Sequence, residues 1–298
     1  MHKILSKQTM EKRFDRANYP FEIFEKFGLD KEMLLDLPDK VHDIIERGGK
    51  SPVLPLRVVQ EDGSTACCYA RFALVGTDEG TEVLFYPRYR RSNLSLFTPE
   101  ERAALMEGKV IVTDVNEKYV TEEGVEDEQR VKSFVQFDAD TNSVVYAPSQ
   151  TIGRNLKSVG DVYGLTGDDL QRFWTGDIVT VPVNGDEDFE EPVTIGVDLN
   201  SDTGVVAVPG IEEQWKMTVR HKLPEYSFGE YGCWVNRDGR LRFVYEDQFT
   251  PEIINALADA VALNEKSKRL DESSSEDSQQ IRDNMQYEDY DVSRGMTY

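Results

Sequence analysis

The sequence predicts an α+β protein made of tandem helix-plus-antiparallel-sheet (α-β-β-β) repeats, three copies and a partial fourth, followed by a disordered acidic tail. Three observations carry this. The apolar residues Leu29, Phe97 and Leu165, each just before a helix-capping residue, are spaced 68 and again 68 positions apart. Each helix they introduce runs to a glycine and is followed by a β-branched stretch. Each repeat then closes on a hairpin whose last residue is proline, at Pro87, Pro148 and Pro209, spaced 61 and 61. A fixed period of this length marks repeat architectures, in which neighbouring copies pack end to end.

The elements follow in order. Asp30, Thr98 and Thr166 each place an acceptor oxygen where the first helical turn has unpaired N–H groups. In Thr98-Pro99-Glu100-Glu101 proline suits the first helical position and Glu101 completes a capping box. The helices end at Arg47-Gly48-Gly49, Glu107-Gly108-Lys109 and Thr175-Gly176-Asp177, where glycine takes the left-handed conformation without a Cβ clash. Strands are expected over 52–59, 110–115 and 178–183. Hairpins are expected over 70–75 with 81–87, 132–137 with 143–148, and 193–198 with 204–209. Proline can end a strand but cannot continue a central ladder. The partial copy has Cys233–Asn236 and Leu241–Tyr245 about an Arg-Asp-Gly-Arg turn, and then Phe249-Thr250-Pro251-Glu252 begins a helix. The segments are 1–26 (lead-in), 27–93, 94–162 and 163–223 (three repeats), 224–263 (partial unit) and 264–298 (tail). Acidic stretches at 122–128 and 185–191 read as solvated loops.

Charge narrows the function. The chain has 34 Lys+Arg against 56 Asp+Glu, a net charge of −22, with 39% hydrophobic residues. Its apolar content supports a core, and its acidity opposes general nucleic-acid binding and an anionic leaflet. The tail holds nine acids and five bases in 35 residues, so the remaining surplus, −18, belongs to the folded body. Three cysteines suit a reducing compartment, and with neither an export signal nor a spanning segment the expectation is a cytoplasmic protein without membrane partners.

The stretch Phe14–Glu22, continuing through Phe27-Gly28-Leu29 and Arg47–Pro52, resembles a family of domain-of-unknown-function proteins encoded on conjugative transposons and related mobile elements of Bacteroidota. The block from Phe97 to Glu101, with Gly108-Lys109-Val110 and Ser133–Asp138, is similar to a companion domain of the same proteins. Ile152–Leu156 and Pro224–Gly229 extend the resemblance, which covers residues 12–263. It implies a cytoplasmic bacterial protein of horizontally transferred DNA and assigns no catalytic residue.

Motifs that would carry chemistry fail in specific ways. Asp138-Ala139-Asp140-Thr141-Asn142 and Asp198-Leu199-Asn200-Ser201-Asp202 imitate the start of a calcium loop, but Ser143 and Thr203 stand where glycine is required. Both read as hairpin turns in which Asp and Asn bond their own backbone. Gly48-Gly49-Lys50-Ser51 follows a helix, the wrong polarity for a phosphate loop. His2, His42 and His221 have no metal spacing; His42 reads as a partly packed surface residue. A Cys233–His221 dyad is outweighed by cysteine acting as a small hydrophobe, and Cys67 and Cys68 diverge to opposite strand faces. No catalytic, metal or cofactor residue is assigned.

Three basic clusters form the candidate interaction surface: Arg88, Tyr89, Arg90 and Arg91; Arg220 and Lys222; and Arg237, Arg240 and Arg242. The expectation is a non-enzymatic protein-interaction module of a mobile element, whose partner is another protein. Its alternatives are an acidic DNA-mimic that occupies a defence enzyme, and an accessory nucleic-acid-binding protein of conjugative transfer that uses the arginines and interleaved aromatics.

Overall fold

The computed structural model describes residues 12–60, 62–78, 80–120, 124, 126–182, 191–219, 223–237 and 240–263. The chain divides into two compact units, Met1–Phe243 and Val244–Tyr298. The described residues form a mixed helix-and-sheet fold with four three-stranded antiparallel sheets in a repeated pattern.

The first unit opens with α1 (Phe21–Glu25), α2 (Lys31–Leu35) and α3 (Asp39–Glu46), then β1 (Leu54–Val59), β2 (Thr65–Thr77) and β3 (Gly80–Pro87). The second repeat has α4 (Pro99–Met106) and β4 (Ile111–Val120), β5 (Glu126–Asp138) and β6 (Ser143–Pro148). After α5 (Ser149–Tyr163) come α6 (Gly167–Phe173), β7 (Val179–Val181), β8 (Val193–Val197), β9 (Val205–Pro209) and α7 (Glu212–Val219). The last sheet is β10 (Tyr226–Phe228), β11 (Gly232–Arg237) and β12 (Arg240–Tyr245).

The repeats agree residue by residue. Asp30, Thr98 and Thr166 each cap a helix by accepting from the N–H three residues on, and the two threonines form capping boxes with Glu101 and Asp169. At the other end, Gly48, Gly108 and Gly176 have φ of +94°, +82° and +83°. Their N–H groups bond Ile45, Leu105 and Phe173, while the next residue's N–H reaches Ile44, Ala104 and Arg172. This double closure is a Schellman motif, which satisfies the last helical carbonyls. Ile45, Leu105 and Phe173 are fully buried.

Sheet register repeats with equal fidelity. Pro87, Pro148 and Pro209 stand opposite Ala70, Ser133 and Val193 on the middle strands. Two positions further along those strands, Phe72, Val135 and Ile195 are all buried. Val135 pairs with Ile111 and Ile195 with Val179, each three residues beyond its helix-ending glycine. In the first repeat that place belongs to Ser51, whose N–H donates to the Phe72 carbonyl and whose Oγ accepts from the Phe72 N–H at 2.9 Å. The first repeat carries one additional residue here, and Pro52, lacking an N–H, interrupts the ladder as a bulge would.

Three expectations need correction. The first repeat's helix is broken into α2 and α3, because Pro38 cannot donate and disfavours helical backbone at Leu37. Glu126, Asp127 and Glu128 are not loop residues: they lie exposed in β5, opposite Val120, Tyr119 and Lys118, where the β4–β5 ribbon extends past β6. The partial copy has a third strand, β10, against β11.

Two helices follow the closing prolines without having been expected. α5 starts directly after Pro148, and α7 three residues after Pro209. α5 carries Ile152 and Leu156 into a core shared with Phe134, Phe173 and Ile195, while a smaller cluster gathers Leu94, Leu105, Val135 and Val144. Gly196 on β8 leaves room for the Trp215 ring of α7, which a Cβ there would meet at 2.5 Å.

In the second unit, β12 ends at Tyr245, a 3-10 turn spans Glu246–Gln248, and residues 251–263 are helical. The Ile253 N–H donates to Thr250 Oγ1 at 3.4 Å, the cap expected of Thr250-Pro251. The expected acidic tail and the 185–190 part of the third repeat's loop lie outside the described residues.

Candidate functional site

The first unit's polar chemistry converges on the seam between its repeats. Arg71 interrupts an apolar run on β2, and its guanidinium is buried. Its Nε donates to Asp138 Oδ2 at 2.9 Å and its Nη2 to Asp138 Oδ1 at 3.2 Å. Nη2 also reaches Asp140 Oδ2 at 2.6 Å, and Nη1 reaches the Ser51 carbonyl at 2.9 Å. Asp138 further accepts from the Thr141 hydroxyl and the Asp140 N–H. Burial by itself would raise the Asp138 carboxyl, but the Arg71 charge and these hydrogen bonds outweigh it and hold the group below the ordinary aspartate value.

The third repeat's turn receives a second cation. Lys50 Nζ donates to Asn200 Oδ1 at 3.2 Å and to the Leu199 carbonyl at 3.3 Å, and lies 4.7 Å from the Tyr86 ring centre. Burial depresses the Lys50 ammonium below its ordinary value, against the pull of Asp138 and Asp198. Gln136 of the second repeat completes the seam: its amide donates to Asp198 Oδ1 at 3.2 Å and its carbonyl oxygen accepts from the Leu199 N–H at 2.7 Å.

The two calcium-like turns are therefore cation acceptors, but the cations are Arg71 and Lys50 of the same chain. Each turn also bonds its own backbone as expected, Asp140 N–H to Asp138 and Asn200 N–H to Asp198. Lys50, in the segment that superficially imitates a phosphate loop, instead ties the first repeat to the third. The only sequence signals for this seam are a single arginine inside an apolar strand and a lysine after paired glycines. A cavity of about 400 Å³ adjoins the seam, lined by Arg71, Gln136, Asp138, Asn200 and Trp215. Among the described residues, no group of three or more His, Cys, Asp or Glu is placed to hold a metal ion.

Two other buried clusters hold elements together. Asp36, at the end of α2, accepts from the N–H groups of Glu230, Tyr231 and Gly232 at 2.8, 2.8 and 2.7 Å. Trp234 Nε1 adds a bond to the Met33 carbonyl at 2.9 Å, so the fourth sheet is fastened to the first repeat. At the end of α3, Glu46 pairs with Lys12 and Arg16. Here His42 corrects the expectation of a partly exposed residue: it is completely buried, with Nδ1 3.4 Å from the Tyr19 hydroxyl and Nε2 3.3 Å from the Leu35 carbonyl. Burial, aided by the Arg16 charge, lowers its pKa.

The predicted interaction residues fall on separate elements. Arg88, Tyr89, Arg90 and Arg91 are consecutive and exposed after β3. Arg240 and Arg242 project from the exposed positions of β12, and Arg237 ends β11. Arg237 is engaged locally, paired with Glu225 and 5.3 Å from the Tyr226 ring centre. Arg220, His221 and Lys222 lie outside the described residues. Cys233 is buried, and burial pushes its thiol up to about 11, as suits a small core side chain. Cys67 and Cys68 are both exposed, since that end of β2 pairs with β1 alone.

No family model matches the chain, and neither a curated protein nor a solved structure matches it. No helix among the described residues is long and apolar enough to cross a membrane.

Proposed function

We propose that the chain is a non-catalytic protein-interaction module that works in the cytoplasm as a component of a mobile genetic element. One observation carries the first part: its buried charges are committed to joining segments of the chain. Arg71 and Asp138 join two repeats, Asp36 anchors the turn before β11, and Glu46 gathers Lys12 and Arg16. General acid–base or nucleophilic chemistry needs a polar group that is held in place yet available to a substrate. Here the buried ionic groups serve as struts. The exterior offers what a partner uses: small sheets with edge strands, a β4–β5 ribbon exposed from Glu126 to Arg130, and a cationic loop. Edge strands are a common docking element for extended segments. The mobile-element setting rests on the resemblance carried by Phe14–Glu22 and Phe97–Glu101, and three free cysteines suit a reducing compartment.

The test is in-cell crosslinking of the tagged full chain in a Bacteroidota host, followed by purification in denaturant and mass spectrometry. The expected result is one protein recovered in a fixed ratio to the chain. Recovery of the chain alone, or turnover of a co-purifying metabolite, would overturn the proposal.

A further inference from the structure

The surplus of acids is unevenly distributed. Acidic residues make up 56 of 298 positions, about one in five, yet none occurs from Gly63 to Thr77 or from Val83 to Pro99. These windows contain β2, most of β3 and the loop that follows, and the second contains Arg88, Arg90 and Arg91. The first repeat thus carries a stretch of strand and loop whose own sequence is without carboxylates and which ends in three guanidiniums.

That loop is also where the first repeat departs from its copies. After Pro148 and Pro209 the chain enters α5 and α7, whereas after Pro87 it passes through four exposed, non-helical residues that bend at Arg90 and Arg91. Its backbone is fixed from both sides. The Arg88 N–H donates to the Tyr69 carbonyl at 2.7 Å, the Tyr89 N–H to the Thr141 carbonyl at 2.8 Å, and Asn142 Nδ2 to the Tyr89 carbonyl at 2.9 Å. Among the described residues none of the three arginines is paired with a carboxylate; the nearby Asp140 is held by Arg71. Tyr89, 53% exposed, stands between them. The scaffold therefore fixes the backbone at Arg88 and Tyr89, where the cationic strip begins, before any partner arrives, which reduces the ordering cost of binding.

We infer that Arg88, Arg90 and Arg91 are the docking site for a short carboxylate-rich segment of the partner protein, with Tyr89 packing against an apolar residue of that segment. The inference rests on the interaction-module proposal and names the partner's chemistry. Guanidinium groups match carboxylates in bidentate geometry. Screening over about 8 Å at physiological salt lets a segment confined to the loop respond mainly to the local charge. A nucleic acid running beyond the loop meets the surplus acids of a chain at −22.

The test is fluorescence anisotropy with the full chain and two probes, a fluorescein-labelled peptide of eight glutamates and two leucines, and a labelled twelve-nucleotide oligothymidylate. The peptide is expected to bind in a salt-dependent manner, more tightly than the oligonucleotide. Binding should weaken about tenfold or more in R88A/R90A/R91A and stay unchanged in R154A/K157A, which removes two exposed cations of α5. Unchanged urea midpoints would show that both variants fold. No peptide binding, equal binding by the triple variant, or tighter binding of the oligonucleotide would overturn the inference. A crosslinked protein partner still captured by R88A/R90A/R91A would overturn this docking site while leaving the interaction module standing.

Discussion

Both carboxylate oxygens of Asp138 face the guanidinium of Arg71, at 2.9 and 3.2 Å, across 67 residues of sequence. A strand of one repeat is thereby coupled to the turn of the next. Removing one member of a buried pair leaves a charge that the interior cannot solvate. Arg71→Ala is expected to cost about 3–5 kcal/mol. The double change Arg71→Met with Asp138→Leu should recover most of that loss. Urea midpoints at constant slope provide the measurement, and equal losses in the single and double variants would contradict it.

Two glycines in equivalent places allow the seam to be separated from local conformation. Gly108 and Gly176 both have positive φ and both end a helix. A Cβ on Gly108 would meet nothing within 4 Å, whereas one on Gly176 would lie 1.9 Å from the Val110 carbonyl oxygen. Gly108→Ala should cost about 1–2 kcal/mol, the left-handed penalty alone. Gly176→Ala should cost about 1–3 kcal/mol more, because backbone must move. Similar losses from the two would mean that the close approach at Val110 carries little energy.

His42 makes stability depend on pH in a defined direction. Above about pH 6.5 it is neutral whether folded or unfolded. Below that, the unfolded chain takes up a proton that the buried ring, its pKa lowered, resists. Stability should therefore fall as pH drops from about 6.5 toward the lower folded-state value. His42→Gln should flatten this part of the curve, as measured by urea denaturation at half-unit pH steps. An unchanged slope would mean that other groups set it.

Asp36→Ala should release the turn before β11, since three N–H groups lose one shared carboxylate. Bonds to a charged acceptor contribute about 1.5–3 kcal/mol each, and water will replace some of them, so a loss of about 2–4 kcal/mol is expected. Faster hydrogen exchange at Glu230, Tyr231 and Gly232 would place the effect at the turn. Protection equal to the parent's would refute this anchoring role.

Legibility in the sequence followed the range of the interaction. The caps at Asp30, Thr98 and Thr166, the Schellman glycines and the closing prolines depend on backbone rules acting within a few residues, and all were readable. The break at Pro38 obeys an equally local rule but is masked by the apolar periodicity of Val41, Ile44 and Ile45. α5 is hidden because Gly153 and Gly160 lower its apparent propensity; Gly160 sits where a Cβ would lie 3.3 Å from Leu170. The seam was unreadable, since nothing near Arg71 names Asp138 and nothing near Lys50 names Asn200. The burial of His42 is equally illegible, because polarity alone does not reveal a partner such as Tyr19.

The distribution of charge across the seam constrains synthesis. Both cations, Arg71 and Lys50, belong to the segment made first, and their acceptors follow 67 and 150 residues later. On the ribosome the leading repeat carries the Arg71 guanidinium without its carboxylate until Asp138 has emerged, and the Lys50 ammonium without its carbonyl acceptors until Leu199 and Asn200 follow. A chain that stops between those two points has its Arg71–Asp138 pair but leaves Lys50 without the acceptors of the third hairpin.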